Sequence, residues 1–398
     1  MKRIIPVILS FIFLASSIVY VADLQAPLDN TKPTEAEEYI KPNEELRGVW
    51  VTYMTLDTEN ERDKEAAFKS RIDSIIEDMK SSNLNTMIVQ VRPFSDALYR
   101  SRYYPWSHIL TGKQGEDPGF DPLEYITDTA HENDIKVHAW INPYRISTAN
   151  TPSDLSDNNP YVKDNDIGVE VNGALYMNPA SDKAIELITK GAAEIAENYD
   201  VDGIQFDDYF YPPDCGDFDS DDYAEYCKST DTPLSLEDFR RDNVNKLISS
   251  VYKAVHKAGR NIMFGVSPQG NLSNNDKLYA DVKKWCEEKG YIDYICPQVY
   301  FSLDNPALTY EDGLRDWLEL KQHDNLSLYV GLPAYKAGTD ADSGTWLDNS
   351  DILRTEIEIL RDKGADGFML YSYDSFHNED NAEEIQNVMN YLTDTPTQ

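Results

Sequence analysis

Short apolar runs alternate with longer amphipathic segments along the chain from Leu46 onwards. Runs of this length, rich in Val, Ile and Leu, are typical of strands buried on both faces of a parallel sheet. They predict eight β-strands, over residues 46–52, 86–92, 136–142, 203–207, 262–267, 294–299, 328–333 and 367–372.

Between these runs, apolar residues recur at spacings of three and four, which predicts amphipathic helices with one buried face. The clearest stripes fall within residues 68–79, 184–196, 244–255 and 352–360. Strands and helices therefore alternate through most of the chain.

About eight strand–helix units over roughly 330 residues predict a single (β/α)8 TIM barrel of the α/β class, with insertions in the βα loops. A doubly wound parallel sheet is the alternative. No Gly-x-Gly-x-x-Gly motif follows the first strand and no Walker loop is present, which argues against nucleotide binding.

Polar side chains recur at the C-terminal ends of five predicted strands. In a barrel this end bears the active site, and every second strand residue points inward. A purely structural barrel would fill these positions with Val, Ile and Leu, so the pattern predicts a polar pocket. The polar positions are Gln90, Arg92, His138, Trp140, Asn142, Gln205, Asp207, Gln298, Tyr300 and Tyr371.

The main candidate for chemistry is the segment at residues 201–212, VDGIQFDDYFYP. Asp207 ends a strand and shares a face with Gln205, so its carboxylate can attack an anomeric carbon or stabilise an oxocarbenium ion. A helix cap is the structural alternative. Asp208 points away from the mouth if the strand stays regular and reaches it if the chain turns. Both aspartates are predicted catalytic residues.

A set of polar and aromatic residues around this pair is predicted to bind substrate. Arg92 and Arg145 can hold substrate hydroxyls or a carboxylate, or can neutralise Asp207. The tyrosines can stack on sugar rings or pack in the core. His138, early in its strand, is expected to be a core histidine. The predicted set is Arg92, Asn142, Tyr144, Arg145, Gln205, Tyr209, Gln298, Tyr300 and Tyr371.

The N-terminus has the pattern of an export segment, with Lys2 and Arg3 before an apolar run that ends at Val21. We expect residues 1–22 to be a cleaved signal peptide or an uncleaved membrane anchor, 23–43 a flexible tether and 44–392 the barrel. The basic start predicts a body that faces outward, in the cell wall, at the membrane or outside the cell. The membrane is then a partner only through this segment.

A formal net charge of -35 and a pI near 4.4 exclude nucleic acid as an expected partner, because phosphate binding needs clustered Lys and Arg. Among the four cysteines, Cys215 and Cys227 are the better candidates for a disulfide, whereas Cys296 is expected to be a buried thiol. Their spacing does not match a zinc site. Residues 214–222 lack the Gly and Glu of a calcium loop and are expected to form a solvated acidic loop. No metal or other cofactor is expected.

Six short blocks occur in order and resemble the bacterial glycosyl-hydrolase-like 10 family. They are ELRGVWVT at 45–52, VQVRP at 89–93, AWINPYR at 139–145, DGIQFDDYFYP at 202–212, GVSP at 265–268 and PQVY at 297–300. The resemblance covers roughly residues 44–376. It implies a barrel distantly related to α-amylase-like glycosidases and an extracytoplasmic glycoside hydrolase, with peptidoglycan glycan strands as the favoured substrate.

In the α-amylase-like scheme, the aspartate at the end of the fourth strand is the nucleophile, which corresponds to Asp207. The scheme places a general acid after the fifth strand, where this chain has Ser267-Pro268-Gln269 and no carboxylate. The acid would then be Asp208, Asp96, Asp374 or a loop residue. We therefore expect a glycosidase with Asp207 as nucleophile or base. The missing carboxylate favours the alternative, a non-catalytic glycan-binding barrel, and a metal-dependent deacetylase is a weaker third hypothesis.

Overall fold

Eight parallel strands close into a barrel in the computed structural model, which describes residues 41–212, 215–258, 261–321 and 324–394. The spatial order β1-β2-β3-β7-β8-β9-β10-β11 follows the chain and returns to β1. Closure confirms the predicted TIM barrel and excludes the doubly wound sheet. The strands are β1 (Leu46–Val51), β2 (Thr86–Arg92), β3 (Lys136–Ile141), β4 (Arg145–Ser147), β5 (Gly168–Val171), β6 (Ala174–Met177), β7 (Gly203–Phe206), β8 (Met263–Val266), β9 (Tyr294–Ile295), β10 (Ser327–Leu332) and β11 (Gly367–Leu370).

Helices cover the outside of the barrel and interrupt its loops. The α-helices are α1 (Tyr53–Leu56), α2 (Lys64–Ser81), α3 (His108–Thr111), α4 (Pro122–His131), α5 (Pro160–Lys163), α6 (Asp182–Asn198), α7 (Ser220–Ser229), α8 (Leu236–Lys257), α9 (Leu272–Lys277), α10 (Val282–Glu287), α11 (Tyr310–Leu320), α12 (Ile352–Asp362) and α13 (Ala382–Asp394). Short 3-10 helices span Asn165–Ile167, Ala334–Lys336, Asp342–Leu347, Tyr373–His377 and Glu379–Asn381.

Helix α2 shows how local sequence sets these elements. Asp63 begins the helix, because its side chain accepts a hydrogen bond from the Ala66 N–H, which lacks a partner inside the helix. The buried residues of α2 are the five of the predicted stripe, Phe68, Ile72, Ile75, Ile76 and Met79. The spacing of three and four places them on the face that packs against the barrel.

The barrel interior is built partly from hydrogen-bonded polar side chains. Gln205 accepts a hydrogen bond from Trp50 Nε1 at 2.6 Å and donates one to the Tyr294 hydroxyl at 3.2 Å. His138 Nδ1 lies 3.1 Å from the same hydroxyl, and burial lowers the pKa of His138 to about 4. The predicted core histidine is confirmed. Gly265 leaves room for the Tyr294 ring, since a Cβ at that position would overlap it.

A three-stranded antiparallel sheet, in the order β4-β6-β5, is inserted in the loop between β3 and α6. It is one of the insertions expected in the βα loops. The loop emerges from the C-terminal end of β3 and therefore stands beside the mouth of the barrel.

The predicted signal or anchor segment and most of the predicted tether lie outside the described residues. Lys41, near the end of the tether range, forms an ion pair with Asp366 at 2.5 Å and so contacts the barrel. Among the helices of the described ranges, none combines the length and apolarity needed to cross a bilayer.

The four cysteines all remain thiols, so the predicted Cys215–Cys227 bond is absent from the structure. Cys296 is fully buried, as expected. The expectation of a solvated loop at residues 214–222 is wrong for Asp219, which is fully buried and pairs with Arg240 at 2.5 Å. Within the described residues, no group of three or more His, Cys, Asp or Glu side chains is arranged to hold a metal ion.

Candidate active site

Two adjacent carboxylates lie at the C-terminal end of β7. The strand ends at Phe206, and the chain then turns, with the Phe210 N–H donating to the Asp208 carbonyl at 3.1 Å. Strand alternation therefore stops before the pair, and Asp208 also reaches the mouth. Asp207 is 5% exposed and Asp208 is 4% exposed.

Asp207 is held by donors from β3 and from its own turn. Asn142 Nδ2 and Trp140 Nε1 both donate to Asp207 Oδ2, the second at 3.4 Å. The Tyr209 N–H donates to Oδ1 at 3.4 Å. Among the described residues, Oδ1 accepts only this long hydrogen bond and is therefore the less satisfied oxygen of the carboxylate.

The orientation of the Asn142 amide is fixed by a neighbouring strand. Gln90 Nε2 donates to Asn142 Oδ1 at 2.6 Å, and Gln90 Oε1 accepts from the Tyr53 N–H at 3.0 Å. Because the amide oxygen of Asn142 is occupied, its NH2 group faces Asp207. Residues from three consecutive strand ends thus set the position of one carboxylate.

Asp208 is held from the other side of β7, by two glutamines. Gln269, which follows β8, donates to Asp208 Oδ2, and Gln298, which follows β9, donates to Oδ1 at 3.1 Å. Gln298 also donates to the Ser267 carbonyl at 3.1 Å. The fifth-strand position that lacks a carboxylate is therefore in direct contact with Asp208.

Burial dominates the acid–base behaviour of the pair. It raises the pKa of Asp207 to about 8, and the nearby Asp208 charge adds to the effect. Burial also raises the pKa of Asp208, although the two glutamine donors oppose it. Two carboxylates this close resist double ionisation, so the pair retains a proton near neutral pH.

Arg145 supplies the positive charge next to the pair. Its charge lowers the pKa of both Asp207 and Asp208. The half-buried side chain donates from Nε to the Pro93 carbonyl at 2.8 Å and lies 4.9 Å above the Phe94 ring. Of its two predicted roles, neutralising Asp207 is the one that this geometry supports.

Tyrosines form the rim of the mouth. The Tyr371 ring centroid lies 5.9 Å from that of Tyr300, 6.0 Å from that of Tyr335 and 6.4 Å from that of Trp140. Tyr335 is 46% exposed and Tyr209 is 47% exposed. Exposed aromatic faces beside buried carboxylates are suited to stacking on sugar rings.

Three residues predicted to bind substrate lie away from the mouth, and that expectation is corrected for each. The pairing of β2 with β3 shifts register between Gln90 and Arg92, and the Arg92 guanidinium lies 4.4 Å above the Tyr104 ring, beside α6. Tyr144 is fully buried in the core, and Gln205 is fully buried in the barrel interior. All three side chains are therefore closed off from solvent in this structure.

The other two candidate proton donors have partners elsewhere. Asp96 is fully buried and accepts from His108 Nδ1 at 3.0 Å. Asp374 accepts from the Thr55 hydroxyl at 2.7 Å. Of the three named acid candidates, Asp208 is the one adjacent to Asp207.

Sequence reasoning did not assign Gln269 and Tyr335 to the site. Gln269 lies three residues beyond the end of β8, and Tyr335 three residues beyond the end of β10. Both therefore stand at the correct end of a strand, but their residue types gave no signal by themselves. The signal that could have found them is the position of each shortly after a predicted strand.

Comparisons with known proteins place this chain in a family. The family model described as Glycosyl hydrolase-like 10 matches residues 45–348. The chain is 36% identical over 334 residues to glycosyl hydrolase YngK of Bacillus subtilis (strain 168), covering 78% of this chain and 64% of YngK, slightly under two thirds of its length. It is 30% identical over 375 residues to glycosyl hydrolase DigH of Escherichia coli (strain K12), covering 84% of this chain and 83% of DigH.

Two solved structures share the fold at low sequence identity. The PgaB (BpsB) glycoside hydrolase domain of Bordetella bronchiseptica superposes with a TM-score of 0.56 at 15% identity, covering 87% of this chain and 99% of that domain. Alpha-L-fucosidase isoenzyme 2 of Paenibacillus thiaminolyticus gives 0.54 at 14% identity, covering 87% and 49%. The family model and these two relatives show that the chain belongs to the glycosyl hydrolase-like 10 family.

Proposed function

We propose that this protein hydrolyses glycosidic bonds of a cell-wall polysaccharide outside the cytoplasm, with peptidoglycan glycan strands as its substrate. The observation that supports this most directly is the buried Asp207–Asp208 pair, which retains a proton beneath a rim of tyrosines. Glycoside hydrolysis needs two carboxyl groups, one to act at the anomeric carbon and one to protonate the leaving oxygen.

Asp207 acts as the nucleophile in this proposal, in the form of the pair in which the shared proton lies on Asp208. Its Oδ2 is occupied by donors from Asn142 and Trp140, whereas the part of the chain that the structure describes gives Oδ1 only the long hydrogen bond from the Tyr209 N–H. Oδ1 therefore has a lone pair available for attack on the anomeric carbon. The side-chain donors also hold the carboxylate in one orientation as the bond forms.

Asp208 acts as the general acid and base. Its proton passes to the glycosidic oxygen as the bond to the leaving sugar breaks, and Asp208 becomes a carboxylate. Gln269 and Gln298 stabilise that charge. Asp208 then accepts a proton from the water that releases the sugar from Asp207, so the pair returns to its starting state.

The substrate class rests on the rim, the charge and the resemblance to an exported family. Tyr209 and Tyr335 offer exposed faces for sugar rings. A net charge of -35 disfavours polyanions as substrates, because binding a polyanion requires clustered basic residues. The basic and apolar N-terminal segment supports a location where peptidoglycan is accessible.

One observation favours a second candidate, a glycan-binding barrel without catalysis. The position after β8 presents Gln269, an amide, where the α-amylase-like scheme has its acid. In that case the same mouth would bind glycan, and the buried carboxylates would only accept hydrogen bonds from sugar hydroxyls.

Both candidates are tested by incubating the purified protein with glycan strands stripped of peptides and with intact peptidoglycan. We expect new reducing ends with the wild-type protein and none above background with Asp207→Asn. Asp217→Asn is the matched control, because Asp217 is exposed in the loop that follows the same strand. Saturable binding without reducing ends from the wild-type protein would establish the binding module instead.

A further inference from the structure

A groove of about 610 Å³ lies beside the mouth, between the loops that follow β1, β2 and β3. Its volume is within the range of roughly 300–1,000 Å³ that is usual for ligand sites. The residues that matter for its chemistry are Tyr53, Met54, His108, Lys113, Asn150 and Asp154.

The inner wall of the groove is coupled to the catalytic pair by direct contacts. The Tyr53 N–H donates to Gln90, Gln90 donates to Asn142, and Asn142 donates to Asp207. Three hydrogen bonds therefore lead from the groove to the proposed nucleophile.

An aromatic contact follows the same path. The Phe94 ring lies 5.4 Å from the Tyr53 ring and 5.4 Å from the His108 ring, and Arg145 lies 4.9 Å above Phe94. Phe94 thus separates the cation beside the carboxylates from two residues that line the groove. The groove and the mouth share this wall.

His108 gives the groove a fixed polar group. Asp96 is fully buried and accepts from His108 Nδ1 at 3.0 Å, and Gln114 Nε2 donates to the same oxygen at 3.0 Å. Because a carboxylate accepts at Nδ1, this nitrogen carries a hydrogen, and Nε2 is the ring nitrogen left for another partner. Within the described residues no hydrogen bond to Nε2 is present, so it is available to a sugar hydroxyl.

Met54 gives the groove an exposed apolar surface. Its side chain is 62% exposed, next to Tyr53 on the same short helix α1. A flexible thioether beside an aromatic ring adapts to the apolar face of a sugar. Polar and apolar groups thus line the same groove, as sugar recognition requires.

We propose that this groove binds the glycan chain several sugars away from the bond that is cleaved, so that the enzyme selects long strands over short fragments. The proposal rests on the proposed function, since it takes Asp207 as the place where the chain is cut. It adds a second region of contact, in which His108 Nε2 forms a hydrogen bond with a hydroxyl and Met54 packs on a ring.

The test measures binding separately from hydrolysis. Peptidoglycan glycan fragments of two, four, six and eight sugars are titrated by calorimetry into the Asp207→Asn protein, alone and combined with His108→Ala or Met54→Ala. We expect the longer fragments to bind ~5-fold more weakly to each combined variant than to Asp207→Asn alone, the effect of losing one contact of about 1 kcal/mol. The two-sugar fragment should bind all the proteins equally.

Two further variants make the result decisive. Ser153→Trp places a bulky ring on an exposed position of the groove wall and should abolish the gain in affinity with length. Leu347→Ala is the matched control for Met54→Ala, since Leu347 is 60% exposed in the loop after β10. Weakening that is equal at every fragment length, or absent at every length, would overturn the proposal. Absence of hydrolysis by the wild-type protein would instead count against the proposed function and leave these affinities to decide on the groove.

Discussion

Gln269 donates a hydrogen bond from its side chain to Asp208 Oδ2, across the gap between the ends of β8 and β7. The position after β8 is where the α-amylase-like scheme has its general acid. In this protein an amide occupies it and contacts a carboxylate supplied by the neighbouring strand. In the proposed mechanism the general acid therefore follows β7 instead of β8, and Gln269 donates a hydrogen bond to that acid.

Replacing Asp207 by Ala should reduce hydrolysis of glycan strands by about 10³-fold or more, a loss typical of removing a principal catalytic group. Sodium azide should restore part of the rate, because the small anion fits where the carboxylate was and attacks the anomeric carbon. The product to measure is a glycosyl azide. Rescue of Asp208→Ala but not of Asp207→Ala would reverse the two roles.

The pH profile should have a basic limb near the value to which burial raises the pKa of Asp207, about 8. Above that pH the pair loses its last proton, and no proton remains for the leaving oxygen. We expect kcat/KM for glycan strands to fall as pH rises through this value. A rate that stays constant to pH 9.5 in a still-folded enzyme would contradict a proton shared by the pair.

Replacing Gln269 by Leu should raise the pKa of Asp208, because one of the two donors that stabilise its charge is lost. Because Asp208 acts in its protonated form, the basic limb of the pH–rate profile should therefore move to higher pH, with a loss of about tenfold in kcat. Gln298→Leu should act in the same direction. The matched control is Gln386→Leu, on the outer helix α13, whose side chain is exposed.

Replacing Tyr335 by Ala should raise KM for glycan strands by about 3–10-fold with little change in kcat, because a sugar loses an aromatic face of ~1 kcal/mol. Tyr125→Ala, on the outer helix α4, is the control. An unchanged KM would show that the exposed face of Tyr335 has no sugar against it.

Stability should depend on pH through Asp207. The folded-state pKa is raised from 3.8 to about 8, so the unfolded chain ionises first as pH increases, and the folded state loses stability from about pH 4 up to about pH 8. Asp207→Asn removes this loss, so at pH 8 its free energy of unfolding should exceed that of the wild-type protein by more than ~1 kcal/mol. One pKa unit corresponds to about 1.4 kcal/mol. Thermal unfolding midpoints at pH 5 and pH 8 should show the gain of the variant growing with pH. A constant difference between the two proteins would contradict the raised pKa.

The sequence by itself determined the eight barrel strands and the main helices. Seven of the eight predicted strands end within two residues of the observed bounds, because an apolar run and a helical stripe are local patterns. The exception is β9, which is only two residues long, because the chain leaves the β-sheet after Ile295. The sequence also placed Asp207, Asn142 and Tyr371 at one end of the barrel, because parallel strands share the direction of their ends.

Only the tertiary structure decided which of these side chains meet. The register shift of β2 moves Arg92 towards α6, and the turn after Phe206 brings Asp208 to the mouth beside Gln269. Bulges and strand ends depend on how each strand pairs with its neighbours, and those neighbours are distant in sequence. A pattern of period two therefore predicts a face along a strand but cannot predict where the strand stops, and in this protein the proposed catalytic pair lies just beyond that point.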